Sequence, residues 1–301
     1  MNSKNESLKE AVFRLFPPSG PYSTEEEEAI KEFYNLVDDD TDLQEWKKYA
    51  PESVVIFCLR VCQLEVRAMY ELVRSIYRVA MVNFPDLFAR LNPKAMPSIA
   101  DRGIFQIMKR NKEDEGPAVL VLRINRWDPS KAILDDVLFF TFILYVFAAR
   151  LSPEMQRAGI LSIVDMRGLR LAHVRHLSTM DLVKKAALIS LKVPIKLSTR
   201  IVKGCVLVNS NALVVRTFHA FKWLIPKKLR KKIELTQSDM SYITNLKDPS
   251  TLPVEFGGVI DDTEAYIEDL ANNLMSDKKL VPAMQHLQHE ILRHNGYLKI
   301  N

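Results

Sequence analysis

Gly159-Ile160-Leu161-Ser162-Ile163-Val164-Asp165-Met166 is the stretch on which the fold turns. It is a short apolar run of strand length, rich in β-branched residues and bounded by glycine and aspartate, and it reads as a buried strand. Upstream, Ala118-Val119-Leu120-Val121-Leu122-Arg123-Ile124 is a run of the same kind, ended by Asn125-Arg126-Trp127-Asp128-Pro129. Downstream, Gly204-Cys205-Val206-Leu207-Val208-Asn209 is a third. Helical stretches separate them, from about Lys131 to Leu151 and from Ser178 to Leu191. Strands alternating with helices predict an α/β core built from βαβ units, with a mostly parallel sheet.

Outward from this core the chain changes character. Residues 1–24 are polar, with breaks at Pro17, Pro18 and Pro21. Ser23-Thr24-Glu25-Glu26-Glu27-Glu28 carries a helix start, a hydroxyl cap followed by acids in the first turn. Helical periodicity follows, with Met69, Leu72, Val73 and Ile76 on one face, until three prolines between 83 and 97 end it. Residues 25–97 therefore read as a helical N-terminal domain, and 98–275 as the α/β domain. The remainder, 276–301, reads as a C-terminal helical tail, with helix already expected from Asp262.

Composition excludes several classes. Of 301 residues, 48% are hydrophobic and 26% charged, ordinary for a globular protein. Only nine glycines argue against Gly-rich loops and long linkers. The three cysteines, Cys58, Cys62 and Cys205, have neither disulfide nor zinc spacing, and the first two sit at i and i+4 as small buried hydrophobes. Met1 to Glu10 has no apolar signal core, and the longest apolar run, Val137 to Ala149, is shorter than the ~20 residues of a bilayer span. A cytoplasmic, reducing location is expected.

Catalytic signatures are absent: no Gly-x-Ser-x-Gly elbow, no phosphate loop, no His-Glu-x-x-His. Asp128, Asp165 and His173 suggest an acid–base set, but aspartates at strand ends commonly cap turns. His286 and His289 share a helix face without a third metal ligand nearby in sequence. No enzyme activity, metal or cofactor is expected, and no basic recognition motif or aromatic platform points to nucleic acid.

Past the third strand, Asn211-Ala-Leu-Val-Val-Arg-Thr-Phe-His-Ala-Phe-Lys-Trp-Leu-Ile-Pro226 is largely apolar. It runs into Lys227, Lys228, Arg230, Lys231 and Lys232, five cations in six positions. An oily face followed by clustered charge suits a segment that covers a cavity and meets an anionic surface, where each cation contributes about 1 kcal/mol. Lys228 and Lys232, four apart, are expected on one helix face.

Taken in order, several of these landmarks resemble the CRAL-TRIO family of lipid-transfer proteins, over roughly residues 25 to 275. Leu59-Arg60 with Tyr70-Glu71-Leu72-Val73 is similar to the family's helical N-terminal domain. Arg126-Trp127-Asp128-Pro129 resembles a strand end of the tocopherol/retinaldehyde-binding branch, and Gly159 to Gly168, followed by His173, resembles the second strand and its turn. Val208-Asn209 begins the lid segment, and Leu252-Pro-Val-Glu-Phe-Gly-Gly258 is similar to the closing motif. There are departures. Cys62 stands where a second basic residue is usual, Leu191 to Lys203 is longer than usual, and Lys222-Trp223 replaces a Lys-Pro pair.

The resemblance implies a sheet that floors an apolar ligand pocket under a gate helix. It aligns Phe139, Phe142 and Val146 of the helix, and Ile160, Val164 and Cys205 of the strands, with ligand-lining positions. Val214, Thr217, Phe218 and Phe221 of the gate align likewise, and Ser162 and Thr217 are the polar groups able to orient a guest. Lys228 and Lys232 fall at the phosphoinositide-binding positions of the tocopherol branch, with Lys203, Lys227, Arg230 and Lys231 beside them. A terpenoid burying several hundred Å² would gain on the order of 10 kcal/mol before the costs of binding.

The expected function is that of a soluble, monomeric carrier, transiently at membrane surfaces, that encloses a small hydrophobic lipid such as a retinoid or tocopherol. It would exchange its guest at anionic membranes containing phosphoinositides. The rivals are a phosphatidylinositol carrier, an adaptor or regulatory module whose cavity is filled by side chains, and an enzyme acting on lipid. Phe139 and Phe142 are bulky enough to permit the filled cavity.

Overall fold

The computed structural model describes residues 21–47, 50, 52–78, 96–109, 116–134, 136–137, 140, 144, 158–177, 202–225, 227–268, 285, 288–289 and 292. Phe139, Phe142, Val146, His286, the stretch 178–201 and residues 1–20 lie outside them.

Four helices come first: α1 (Thr24–Asp38), α2 (Thr41–Lys47), α3 (Glu52–Val61) and α4 (Val66–Arg78). Ser23 caps α1 as expected. Its side chain accepts from the Glu26 N–H at 3.2 Å, and the Glu26 carboxylate accepts from the Ser23 N–H at 3.1 Å. Asp40 Oδ1 starts α2 by accepting from Asp42 and Leu43 N–H. These helices share one apolar cluster centred on Phe33, Leu43, Val55, Leu59 and Met69. Cys62 is buried in this cluster and Cys58 packs against it, and both are free thiols. Arg60 and Glu26 form a buried ion pair at 2.8 Å that ties α3 to α1.

After α5 (Met96–Asp101) the sheet follows: β1 (Phe105–Ile107), β2 (Ala118–Arg123), β3 (Ile160–Asp165), β4 (Val202–Val208) and β5 (Ile233–Leu235). Their spatial order is their chain order, β1-β2-β3-β4-β5. β1 is antiparallel to β2, and every other pair is parallel. The mostly parallel sheet is therefore as expected. β1 and β5, three residues each, gave no strand pattern in the sequence because a period-2 signal needs at least four.

Parallel neighbours need crossovers, and each contains helix here. Leu134, Asp136, Val137, Phe140 and Leu144 are helical between β2 and β3. Helix α6 (Leu171–Leu177) lies between β3 and β4, and α7 (Ala212–Phe221) with α8 (Lys227–Arg230) lies between β4 and β5. A sheet that steps always in one direction, with crossovers of one hand, puts all of them on one face. The packing agrees: Val137, Phe140, Leu144, Val174, Leu213 and Val214 join one cluster with Leu120, Ile160 and Val164. The opposite face, with Val119, Val121, Leu161, Ile163 and Val206, is covered by α9 (Ser241–Leu246) and by Leu252 and Phe256.

The helix expected from Asp262 is not formed over residues 262–268. Met108 bridges Tyr266, and Ile267 N–H donates to Ile107 C=O at 2.9 Å, so this stretch lies along the edge of β1. Pairing the edge strand satisfies backbone groups that would otherwise face solvent. Gln285, Gln288, His289 and Leu292 are helical.

Candidate functional site: a sheet face, its amphiphilic cover and a buried ionic hub

Strand pleating sorts the expected lining residues. Ile160, Ser162 and Val164 alternate along β3 and therefore share one face. In the β3–β4 register Ser162 is opposite Cys205 and Val164 opposite Leu207, which extends that face across β4. Ile160 and Ser162 are buried, and Val164 and Cys205 are half-buried. Burial pushes the Cys205 thiol up to about 11, so it is an un-ionised, apolar surface element.

Helix α7 lies over this face. Asn211 caps it, accepting from Leu213 and Val214 N–H at 3.0 and 3.1 Å. Val214 is 1% exposed and packs in the cluster of Ile160 and Val164. Thr217, Phe218 and Phe221 are half-buried, while Val215 and Arg216 face out. The cover is not a single helix. After Phe221 the chain tightens into a 3-10 turn, Lys222–Leu224, and reforms as the one-turn α8. Trp223 is 66% exposed, and its indole N–H already donates to Ala220 C=O at 2.8 Å.

The cations divide differently from expectation. Lys227, Lys228 and Lys231 are exposed, and Lys203, Arg230 and Lys232 half-buried. Lys228 and Lys232 do not share a helix face, because α8 ends at Arg230 and Lys232 leads directly into β5. The Lys232 ammonium turns inward and donates to Val202 C=O at 2.8 Å. Burial, and then the neighbouring charge of Lys203, lower its proton affinity. A four-residue interval specifies a shared face only while the helix continues, and here parallel pairing of β5 with β4 ends it.

The structure also assembles a group that no sequence motif disclosed. Arg123, at the end of β2, donates through Nη2 to Glu255 Oε1 at 2.5 Å and to Tyr266 Oη at 3.1 Å, and through Nε to Gln106 Oε1 at 2.6 Å. Its Nη1 lies 3.4 Å from Asp165 Oδ2. Arg167 closes on Asp165 at 2.6 Å and reaches Glu255 at 3.4 Å. Asn209 Nδ2 donates to Asp165 Oδ1 at 2.9 Å. Burial alone would raise the Asp165 carboxyl, but hydrogen bonds from the Arg167 side chain and backbone, and from Asn209, hold it below the usual carboxylate range. Burial likewise opposes, and Arg123 and Tyr266 outweigh, so Glu255 is also held low. Tyr266 is raised, first by burial and then by its bond to Glu255. The one available signal was charge at the ends of apolar runs: Arg123, Asp165, and Glu255 inside the closing motif.

The imagined acid–base set does not assemble. Asp128 accepts from Ser130 in its own turn, and Asp165 belongs to the ionic hub. His173 Nδ1 accepts from Arg170 N–H at 2.9 Å, which leaves the Nε2 proton to donate to Trp127 C=O at 3.1 Å. All three groups are satisfied structurally. Among the described residues no cluster of potential metal ligands occurs, and no helix is long and apolar enough to cross a membrane. A cleft of about 410 Å³ lies beside the β1 edge, between Lys109, Ile260, Ala265 and Glu268.

Residues 100–258, just over half of the chain, match the CRAL/TRIO domain. The chain belongs to the CRAL/TRIO family, whose members are in general lipid-binding carriers rather than enzymes. The crystal structure of Sfh5 is similar at 12% identity, covering 93% of this chain and 98% of that one, with a TM-score of 0.42.

Proposed function

We propose that this protein encloses a small hydrophobic lipid, a retinoid, tocopherol or similar terpenoid, and exchanges it at anionic, phosphoinositide-containing membranes on the cytoplasmic side. It acts as a monomer and needs no cofactor. Residues 98–275 form the lipid-binding domain, preceded by a helical domain over 25–97 and followed by a helical tail over 276–301. The observation that carries the reading is the cover of the sheet: Val214 faces inward, Trp223 outward, and Lys227, Lys228 and Lys231 stand exposed beside it. Ile160, Val164, Cys205, Val214, Thr217, Phe218 and Phe221, with Phe139, Phe142 and Val146, line the guest's space. Ser162 and Thr217 orient it. A Trp whose N–H is already bonded within the chain enters the apolar part of a membrane without losing a water hydrogen bond.

The terpenoid preference rests on the likeness of Arg126-Trp127-Asp128-Pro129 to the tocopherol/retinaldehyde branch. Native mass spectrometry of the purified protein, incubated separately with retinal, α-tocopherol and phosphatidylinositol, tests it. A one-to-one complex with a terpenoid is expected. A complex with phosphatidylinositol alone would replace this reading with that of a phospholipid carrier. The close packing of Val214 with Ile160 and Val164 favours a second reading, a non-transferring module with a filled interior. Failure to acquire any of the three lipids would count against the first reading and favour this one.

A further inference from the structure

The cover of the sheet has unlike ends. At its far end the chain passes through the 3-10 turn Lys222–Leu224 and the single-turn α8, where Arg230 reaches Lys222 C=O at 3.5 Å, and it is tied back to β4 at Lys232, whose C=O accepts from Cys205 N–H at 2.8 Å. At its near end every residue is tied. Asn209 sits in the left-handed region at φ 56°, which asparagine tolerates better than most residues. Its side chain is bonded to Asp165. Ser210 is 2% exposed, with its hydroxyl on Leu207 C=O at 2.7 Å and its N–H on Thr236 C=O at 2.9 Å. Asn211 then caps α7.

Asp165 itself is 1% exposed and cannot shift freely, since Arg123 and Arg167 hold it, and both also hold Glu255 of the closing segment. The strand ends and the root of the cover thus meet at one carboxylate, and Arg123 and Arg167 link it to the closing motif.

Resting on the reading of residues 211–232 as a gate, we propose that Asp165 is a positioning residue which, through Asn209, fixes the pivot of that gate. The same carboxylate couples the pivot to Glu255 of the closing loop. Opening then moves the stretch between Phe221 and Lys231, while residues 209–211 at one end and Lys232, tied to β4, at the other stay in place. Arg123 and Arg167, each bonded to both Asp165 and Glu255, tie the root of the cover to the closing loop.

Hydrogen exchange on the ligand-free, full-length protein tests this without any lipid. Asn209→Gly still admits the left-handed backbone but removes the link to Asp165 and frees the pivot's backbone, whereas Asp165→Asn weakens the same link and leaves that backbone unchanged, so faster exchange in residues 215–221 is required of both. In Asn209→Gly the amides of residues 215–221 are expected to exchange about tenfold faster, the effect of losing roughly one well-made hydrogen bond from a local opening. The amides of β2, β3 and α1 should keep their wild-type rates. Wild-type exchange in 215–221 would overturn the proposal, and so would acceleration spread equally over β3 and β4, which marks a general stabilising role. Because no lipid enters the measurement, a failure of the lipid-binding experiments leaves this result standing, and the reverse also holds.

Discussion

Glu255 receives hydrogen bonds from Arg123 and Tyr266 and lies 3.4 Å from Arg167, so its removal leaves two guanidinium groups short of charge. Glu255→Gln is expected to destabilise the protein by about 2 kcal/mol, less than the cost of breaking a fully buried pair because Glu255 is half-buried and Arg167 exposed. Denaturant unfolding measures it, with unchanged m-value as the control for an intact fold. The two depressed carboxyls also set an acid limb. Asp165 and Glu255 have folded pKa values below their unfolded ones, so their contribution is complete above about pH 5 and is lost as pH falls through the folded values. Stability measured from pH 6 downward should therefore decline less steeply in Asp165→Asn and Glu255→Gln than in the wild type. None of these partners was legible as such. The charges stand at positions 123, 165, 167 and 255, and only the sheet and the closing segment bring them together.

Among the elements, the closing segment and the cover make the sharpest demands. Gly257 has φ 85°, and a Cβ on Gly258 would stand 1.9 Å from Leu252 C=O. Gly258→Ala must displace backbone, and is expected to cost about 3 kcal/mol and to release Leu252 and Phe256 from the sheet face that they cover with α9, read as a fall in thermal midpoint. The cover predicts a division among its cations. Replacing exposed Lys227, Lys228 and Lys231 by Ala should weaken binding to phosphoinositide vesicles in cosedimentation, by up to about 1 kcal/mol each, and flatten its salt dependence. Lys232→Ala should act through β4 and β5 as well, since that ammonium holds Val202 C=O, so its loss should lower stability in solution. Unchanged vesicle binding by Lys228→Ala would remove that residue from the membrane face. The apolar-then-cationic character of this segment was plain in the sequence. Its break into a helix, a 3-10 turn and one further helical turn was not, since the short β5 that ends it carries too few residues for a pattern.

At the scale of the whole molecule, alternating strands and helices were sufficient to foresee a parallel α/β core, because the three longer strands, β2, β3 and β4, announce themselves by composition alone. The capped start of α1 and the apolar faces of α3 and α4 were equally readable, since helix periodicity and end signals are local in the chain. A guest lipid adds a prediction here. If the sheet face and its cover enclose the guest, saturating retinal or tocopherol at about a hundred times its dissociation constant should stabilise the folded state by about 2.7 kcal/mol, read as a rise in thermal midpoint. Local order along the chain thus determined the three longer strands, the helical N-terminal region and the amphiphilic stretch, and the closing motif came from the family resemblance. Tertiary structure alone decided that Lys232 turns inward, that Tyr266 seals the edge of β1, and that Arg123, Asp165, Asn209 and Glu255 share one buried hub. Periodicity reports which side of an element is apolar, whereas pairing between distant charges depends on strand order and register, which no local window of sequence contains.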